Sequence, residues 1–402
     1  MSGRGQGPLA GVRILDLTSV LMGPYATQIF ADLGADVIKI ESPDGDTIRA
    51  IPPGPDPTRG GMFLNVNRGK RSLVLDLKQP AARAALLTLA ATADVFVHSM
   101  RAQAIARLGL DYAAVQAANP KIVYANLYGF ARGGPYRDYP AYDDILQAAS
   151  GLVDLQGRLS GGAPTYMATV VADKVAGLTG AYAILAALFA RERGGMGQEL
   201  EIPMFETLVS FTMIEHLGGS LFDPALGDPV YPRVTSEARR PYVTADGHIG
   251  VMIYNDKQWR AFFHAIGDPD WSRDPMFATM RSRSENITTC LAQVAGVLVQ
   301  RSTADWLALF RAAHLPAMAI ATTADLLHDP HLCETGFWQT RETEAGPLRF
   351  PGIPTYFSAT PGAIGDPGPA LGADSRAVLA EAGFDAARID ALIASGAVRA
   401  GS

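Results

Sequence analysis

Cysteine, histidine and charge are all scarce in this chain, and each shortage excludes a class of protein. Its 402 residues include two cysteines, Cys290 and Cys333, without a CxxC spacing, so neither a disulfide framework nor a zinc site is predicted. The seven histidines are scattered and form no HExxH motif, so we predict no metal site. Only 18% of the residues are charged and the net charge is −6, which argues against a nucleic-acid-binding protein.

Glycine-rich phosphate loops are missing as well. No GxGxxG motif follows a predicted strand, and Gly69-Lys70 is not a P-loop because Leu64 replaces the upstream glycine and Arg71 replaces the Ser or Thr. Chemistry on nicotinamide dinucleotides or nucleoside triphosphates is therefore not supported. The first residues also lack the apolar run of a signal peptide, so we expect a cytoplasmic enzyme that binds no membrane.

What the chain does contain is a regular alternation of strands and helices. Hydrophobic residues make up 48% of the sequence, as in ordinary globular proteins. Compact apolar runs predict strands over residues 12–18, 35–41, 72–77, 94–98 and 121–127, with helical stretches between them. This alternation predicts an α/β fold with a parallel sheet, whose ligands bind at loops beyond the carboxyl ends of the strands.

The chain is too long for one core, so more than one domain is expected. We predict a large domain that begins with residues 1–217, and an irregular linker over 218–240, where Gly, Pro and Arg accumulate. A smaller α+β domain over 241–330 follows, and residues 331–402 are predicted to return to the large domain.

Asp173 precedes an almost uncharged stretch, Val175 to Ala190, that predicts a buried helix. At sixteen residues this stretch is short for a membrane span. The positive end of the helix dipole favours an ionised carboxylate there, which would suit a nucleophile. The alternative is a helix cap, because Asp is among the best N-terminal capping residues. The position of Asp173 near the start of the predicted helix, taken alone, favours the capping role.

A series of short motifs gives the sequence a specific likeness. The motifs are residues 9–16 (LAGVRILD), Gly23-Pro24, residues 33–41 (LGADVIKIE), Asn67 with residues 70–72 (KRS), residues 93–95 (ADV), 107–109 (RLG), 133–136 (GGPY), Gly197-Gln198, residues 244–247 (TADG) and Asp274-Pro275. In this order and spacing they make the chain resemble the class III CoA-transferases, typified by formyl-CoA transferase and carnitine CoA-transferase, essentially from end to end.

The resemblance implies both a fold and an activity. It implies a Rossmann-like large domain built from both chain ends, a smaller inserted domain, and two chains threaded through each other as an interlocked homodimer. It implies transfer of CoA from an acyl-CoA thioester to a carboxylic acid, with coenzyme A as a substrate and no permanently bound cofactor. Asp173 falls at the family's catalytic aspartate, which passes through a mixed anhydride and an aspartyl-CoA thioester.

The resemblance also assigns supporting residues. Tyr142 and Asp143 match a family motif, in which Asp143 orients the reacting groups or else caps the helix ending near Ala149. The residues that match the CoA site are Val20, Leu75, Lys78, Met100, Arg101, Arg107, Leu108 and Arg137. The competing interpretation is strand-end packing for Val20, Leu75 and Leu108, and solvated surface charge for Lys78 and Arg107.

Two departures from the family pattern limit the substrate and the reaction. Leu21 stands where formyl-CoA transferase has a glutamine, which puts recognition of formate or oxalate in doubt. α-Methylacyl-CoA racemase, the nearest rival on this fold, has a histidine where this chain has Tyr142, and proton transfer needs such a group. A non-catalytic CoA-binding protein is a second alternative, against which the presence of Asp173 argues.

Three arginines of the predicted linker bear on the identity of the acid. Arg233, Arg239 or Arg240 is a candidate to bind the distal carboxylate of a dicarboxylic acid, which would make succinyl-CoA a plausible donor. Surface charge on a loop is the equally open alternative.

Overall fold

The computed structural model describes residues 5–401, which divide into two compact units. The first unit contains the chain up to Gln147, Thr169–Phe211 and the chain from His331 onward, and the second contains Ala148–Ala168 and Thr212–Pro330. The strands are β1 (Arg13–Leu17), β2 (Asp36–Glu41), β3 (Arg71–Leu75), β4 (Val95–His98), β5 (Val123–Tyr128), β6 (Gln198–Pro203), β7 (Tyr242–Val243), β8 (His248–Val251), β9 (Ala317–Ala319), β10 (Trp338–Arg341), β11 (Leu348–Pro351) and β12 (Val398–Arg399).

Helices connect these strands along the chain. They are α1 (Met22–Asp32), α2 (Gly61–Val66), α3 (Pro80–Ala90), α4 (Ala102–Arg107), α5 (Tyr112–Ala118), α6 (Asp143–Ala149), α7 (Leu152–Leu159), α8 (Val171–Glu192), α9 (Met204–His216), α10 (Pro232–Thr235), α11 (Asp256–Ala265), α12 (Met280–Glu285), α13 (Ile287–Leu298), α14 (Thr303–Ala312), α15 (Pro330–Glu334), α16 (Ser375–Glu381) and α17 (Ala386–Ala394).

The first unit is built on a seven-stranded sheet of order β12-β3-β2-β1-β4-β5-β6. All neighbours pair in parallel except β12, which runs antiparallel to β3. The five predicted N-terminal strands are confirmed as β1 to β5, and the strand order 3-2-1-4-5-6 is that of doubly wound α/β sheets. In this order the chain leaves β1 toward one edge and returns to β4 on the other side. The loops after β1 and β4 therefore diverge and open a crevice, where ligands of such sheets bind.

The sheet strands are nearly continuous in apolar residues because helices cover both faces. Leu15, Ile38, Leu73 and Phe96 are fully buried and form one cluster with apolar residues of α3, α16 and α17. Burial of each such side chain contributes about 1.5–3 kcal/mol, which fixes the β-strand register below the crevice.

Helix α8 differs from its prediction in length and in burial. It runs for 22 residues from Val171, so the predicted start at Val175 was too late. Its length and apolar composition alone would be enough to cross a membrane. One half of the helix packs against α1, β5 and β6, but Leu178, Tyr182 and Phe189 are 49%, 63% and 65% exposed. The predicted buried helix is therefore buried over only part of its surface in the single chain.

The second unit has its own sheet and core. Strands β7, β8 and β9 form an antiparallel sheet, and the unit's aromatic core contains Trp259, Phe262, Trp306 and Phe310. Three differences from the predicted domain boundaries appear here, the first being that residues 212–217, predicted in the large domain, belong to this unit. Residues 148–168, predicted in the large domain, group with the second unit because α7 packs against α10, and the predicted linker over 218–240 lies within this unit.

Candidate active site

The loops after β1 and β4 meet at the crevice and separate two cavities. The backbone N–H of Ser19, after β1, donates to Oγ of Ser99, after β4, at 3.3 Å. A cavity of about 940 Å³, here called the large cavity, lies on one side. A cavity of about 270 Å³ that contains Asp173, here called the Asp173 cavity, lies on the other. Ser19 lines both, so the two cavities adjoin at this residue.

The large cavity brings together five of the eight residues predicted to bind CoA. It is lined by residues 17–19, 39–47 and 75–78 and by Met100, Ala104, Arg107 and Leu108, so Leu75, Lys78, Met100, Arg107 and Leu108 all border it. Lys78 and Arg107 are exposed, and no salt bridge involves either of them within residues 5–401. Two unpaired cations at the rim of a deep cavity suit the phosphates of an anionic ligand.

The apolar members of this set have a second role. Leu75 is 1% exposed and belongs to the core cluster, against which Met100 and Leu108 pack. Packing in the core beneath the cavity is therefore enough to explain the apolar residue at position 75, without a contact to a ligand. Acidic side chains also border the cavity, among them Asp44, Asp46 and Asp76, which the sequence did not single out.

The other three predicted residues lie with Asp173 instead. Val20, Arg101 and Arg137 line the Asp173 cavity, together with Tyr142. The remaining lining residues are 19, 22, 99, 102, 127–129, 132, 139–141 and 204. The set predicted as one CoA site is thus divided between two adjoining cavities. Arg132, which the sequence did not single out, is paired with Glu199 at 2.9 Å and Glu201 at 2.7 Å and so is neutralised.

Asp173 does not cap its helix, so the capping prediction is wrong. It is the third residue of α8, and the N-cap residue Val170 makes no side-chain capping bond. The cap comes from α6, where Oδ1 of Asp143 accepts the backbone N–H of Asp173 at 3.0 Å. The other oxygen of Asp143 accepts from the side-chain amide of Gln147. Asp143 therefore satisfies one of the orphan donors at the start of α8 and begins α6 itself.

The electrostatics of Asp173 also differ from the expectation of a strongly ionised group. Burial, followed by the neighbouring Asp143 carboxylate, raises the pKa of Asp173 to about 6, although a hydrogen bond from the Met22 N–H opposes the rise. The favourable helix dipole is thus outweighed by desolvation and by like charge. At neutral pH the carboxylate is mostly ionised yet more basic than an ordinary Asp, which favours nucleophilic attack.

Close packing between α8 and α1 brings the Met22 N–H to Asp173. Gly177 lies one turn after Asp173, and a Cβ there would stand 2.7 Å from the carbonyl oxygen of Met22. Glycine is required by this approach rather than by backbone conformation. The signal was present in the sequence as a glycine inside an apolar helix, but nothing in the pattern identified Met22 as the partner.

No histidine lines the Asp173 cavity within the described part of the chain, and Tyr142 is 69% exposed at its edge. The nearest histidine in sequence to the crevice, His98, is fully buried at the end of β4. Its Nδ1 accepts the backbone N–H of Met100 at 3.2 Å, and burial lowers the pKa of His98 to about 4. His98 is therefore a neutral structural residue and not an acid–base catalyst for this cavity.

The three arginines of the predicted linker belong to the second unit, and Arg233 lines a cavity there. That cavity measures about 550 Å³, and the Arg233 guanidinium lies 5.9 Å from the centroid of the Tyr254 ring. Arg240 instead donates to the carbonyl oxygen of Glu237, and Arg239 is exposed. Arg233 is thus the strongest of the three candidates for an anion ligand.

Comparison with known proteins agrees with this geometry. The family model described as CoA-transferase family III matches residues 9–375. The chain is 32% identical to the succinate–glutarate CoA-transferase of Agrobacterium fabrum, over 93% of this chain and 95% of that protein. It is 35% identical to the succinyl-CoA:mesaconate CoA-transferase of Haloarcula hispanica, over 81% and 83%. The crystal structure of a CAIB/BAIF family protein from Brucella suis superposes with a TM-score of 0.78 at 28% identity, covering 94% of this chain and 100% of that one. The protein is a CoA-transferase, and the chain belongs to CoA-transferase family III.

Proposed function

We propose that Asp173 is the nucleophile through which this enzyme transfers CoA from an acyl-CoA thioester to a carboxylic acid. The observation that carries the proposal is the place of Asp173, whose basic carboxylate lies in a small cavity that joins the large cavity at Ser19. An ionised carboxylate in a part-buried cavity can attack a carbonyl carbon while little water competes for the intermediate.

Each step then exchanges one leaving group for another. An Asp173 oxygen attacks the thioester carbonyl, the C–S bond breaks, and a mixed anhydride and CoA thiolate result. The thiolate attacks the Asp173 carbonyl carbon of that anhydride, which releases the first acid as its carboxylate and leaves an aspartyl-CoA thioester. The acceptor carboxylate attacks this thioester, and the same steps in reverse give the new acyl-CoA and free Asp173.

Coenzyme A is proposed to span the two cavities. Its phosphates bind Lys78 and Arg107 at the rim of the large cavity, and its thioester end passes Ser19 to reach Asp173. Arg101, exposed at the Asp173 cavity, adds positive charge there, and Arg137, paired with Asp138 at 3.5 Å, is proposed to contact CoA beside it. This division explains why the residues predicted as one site fall into two groups. CoA acts as a substrate, and no permanently bound cofactor takes part.

A dicarboxylic acid is the proposed substrate class. Two of the relatives are named for succinate, glutarate, succinyl-CoA or mesaconate. Within the second unit, the Arg233 guanidinium borders a cavity and has no salt-bridge partner among the described residues, so it is proposed as a ligand for a carboxylate. Succinyl-CoA is therefore proposed as a donor.

The enzyme is further proposed to be a cytoplasmic homodimer of interlocked chains. The exposed apolar side chains Leu178, Tyr182 and Phe189 share one face of α8 at spacings of four and seven residues. A second copy of this chain, rather than a lipid bilayer, is proposed to cover that face. An apolar stripe of this kind is typical of a subunit interface.

The test of the nucleophile is direct trapping. Enzyme incubated with succinyl-CoA and then treated with hydroxylamine should carry a hydroxamate on Asp173, located by peptide mass spectrometry. Asp173→Asn should give no adduct and no transfer, whereas Asp144→Asn, an exposed neighbour of Asp143, should behave as wild type. Transfer at wild-type rate by Asp173→Asn would refute the proposal. Deuterium wash-in at Cα of a 2-methylacyl-CoA, without release of CoA, would instead favour the racemase.

A further inference from the structure

The loop between β1 and α1 contains a strained residue. Val20 has φ of +66°, in the left-handed region, although it is neither glycine nor asparagine. For a β-branched residue this conformation is a genuine outlier that costs about 1–2 kcal/mol and persists only where surrounding contacts impose it. Val20 lines the Asp173 cavity, so the strain lies at the site of the chemistry.

One carboxylate restrains the backbone of Val20, whose side chain also packs against the apolar cluster of Ile48, Phe63 and Val66. Both oxygens of Asp46, in the loop after β2, accept the Val20 backbone N–H at 3.2 Å. The Asp46 side chain is 1% exposed and forms an ion pair with the Lys39 ammonium at 2.9 Å. Lys39 also donates to the carbonyl oxygen of Thr18 at 3.0 Å. The Asp46–Lys39 pair therefore holds the loop on both sides of Ser19, at residues 18 and 20.

The position of this loop determines where α1 begins. Met22 is the first residue of α1, two residues after Val20; it lines the same cavity as Asp173, and its N–H lowers the pKa of the Asp173 carboxyl. Helix α8 cannot compensate for a displaced Met22 by moving closer, because Gly177 already lies against the Met22 carbonyl without room for a Cβ. A change of a few tenths of an ångström at Val20 therefore reaches the nucleophile through the first turn of α1.

We propose that Asp46 is a positioning residue for the transfer reaction. Its buried carboxylate holds Val20 in the left-handed conformation and thereby orients the Met22 N–H toward Asp173. The inference rests on the proposed role of Asp173 as the nucleophile. It assigns Asp46 no contact with the reacting atoms.

The critical variant is Asp46→Asn, alone and combined with Val20→Gly. An amide keeps the shape of the side chain but leaves one acceptor oxygen for the donors of Val20, Ile48 and Lys39, so the restraint on Val20 is weakened. Loss of one charge-assisted hydrogen bond to Asp173 should move the acid limb of the kcat–pH profile upward by about one pH unit and lower kcat about tenfold. Glycine adopts positive φ without strain, so Val20→Gly in the Asp46→Asn background should recover at least about threefold in kcat and part of the pH shift.

Two further variants separate positioning from stability. Asp32→Asn removes a comparably buried ion pair, with Arg68, that borders neither cavity. It should lower the thermal unfolding midpoint without moving the acid limb. Asp46→Glu keeps the charge opposite Lys39 but displaces the carboxylate, and it should reproduce the upward shift even if Asp46→Asn fails to fold.

The possible outcomes are distinct. An upward shift that Val20→Gly partly relieves supports the positioning role. An unchanged acid limb in Asp46→Asn or Asp46→Glu overturns it, and so does a shift that Val20→Gly leaves untouched. If Asp173→Asn transfers CoA at the wild-type rate, the proposed role of Asp173 as the nucleophile is refuted instead. The two proposals therefore fail through different results.

Discussion

Asp143 and Asp173 are joined by a single hydrogen bond of 3.0 Å, in which the carboxylate of Asp143 accepts the backbone N–H of Asp173. This bond has two consequences for the same residue. It satisfies the first turn of α8, whose N-cap residue makes no side-chain bond, and so helps to hold Asp173 in place. It also brings a second negative charge to Asp173, which contributes to its raised pKa.

Asp143→Asn should therefore make Asp173 more acidic. The amide oxygen can still accept the Asp173 N–H, but the charge is gone, so the pKa of Asp173 falls from about 6 toward the ordinary value of 3.8. If Asp173 is the nucleophile, the acid limb of the kcat–pH profile should move downward by about 0.5–1 unit, and kcat at pH 8 should drop severalfold because its carboxylate is less basic. Asp144→Asn is the matched control. An upward move of the acid limb would contradict the assignment.

The raised pKa also predicts that the Asp173 carboxylate lowers the stability of the protein at neutral pH. Because the pKa of Asp173 is raised from 3.8 to about 6, the native state holds its proton more tightly than the unfolded chain does. The stability this provides is fully present below pH 3.8 and lost as pH rises through 6. Asp173→Asn has no charge to bury and should be more stable than wild type at pH 7.5 by about 1–3 kcal/mol. Urea unfolding at several pH values measures this, and a stability difference that does not shrink between pH 7.5 and 4.5 would count against it.

The strands of the large sheet could be predicted because most of them are compact apolar runs in the sequence. The run that predicted a strand over 94–98 became β4 (Val95–His98), since apolar residues covered on both faces form a continuous block. Strand β12 (Val398–Arg399) was missed because two residues have no periodicity, and only pairing with β3 makes them a strand. The start of α8 was placed late because Asp173 and Lys174 interrupt its apolar run, although both are helical.

The site was predictable in its residue types but not in its geometry. Motif positions predicted Asp173 and some of the residues that line the two cavities, yet they could not separate Lys78 in one cavity from Arg101 in the other. Their separation depends on how the loops after β1 and β4 meet at Ser19 and Ser99. The sequence could not single out the Met22 N–H as a partner of Asp173, because every residue except proline has a backbone N–H donor.

Gly177→Ala tests the close approach of α8 to Met22. A Cβ at 2.7 Å from the Met22 carbonyl oxygen forces the two helices apart, so we expect a loss of about 1–3 kcal/mol in unfolding free energy and about a tenfold loss in kcat. Gly180→Ala is the matched control on the same helix. Its Cβ would meet its nearest atom, in Leu127, at 3.5 Å, an ordinary contact, and alanine should stabilise the helix by about 0.5–1 kcal/mol. Equal effects of the two variants would show that Met22 packing is irrelevant.

The cations of the large cavity should act on binding and not on chemistry. Lys78→Ala and Arg107→Ala should each raise KM for acyl-CoA about fivefold to tenfold with kcat unchanged, because each removes a charge-assisted contact to phosphate. Lys121→Ala, an exposed cation that borders neither cavity, should leave both constants unchanged. Initial rates measured at several salt concentrations add a second readout, since the KM of each cavity variant should depend less on ionic strength than that of wild type. A kcat loss without a KM change would contradict phosphate binding.

Tyr182→Asp tests whether a second chain covers the exposed face of α8. Tyr182 is 63% exposed between Leu178 and Phe189 on one apolar stripe, and a buried carboxylate at the centre of an interface would have no partner. We expect the variant to shift from dimer to monomer by light scattering after gel filtration without detergent, and its activity to fall because the monomer leaves α8 unsupported. Tyr356→Asp is the matched control, since Tyr356 is 83% exposed and lies outside any helix or strand. A wild-type protein that is monomeric in this measurement, or a Tyr182→Asp variant that remains dimeric, would contradict the proposed interface.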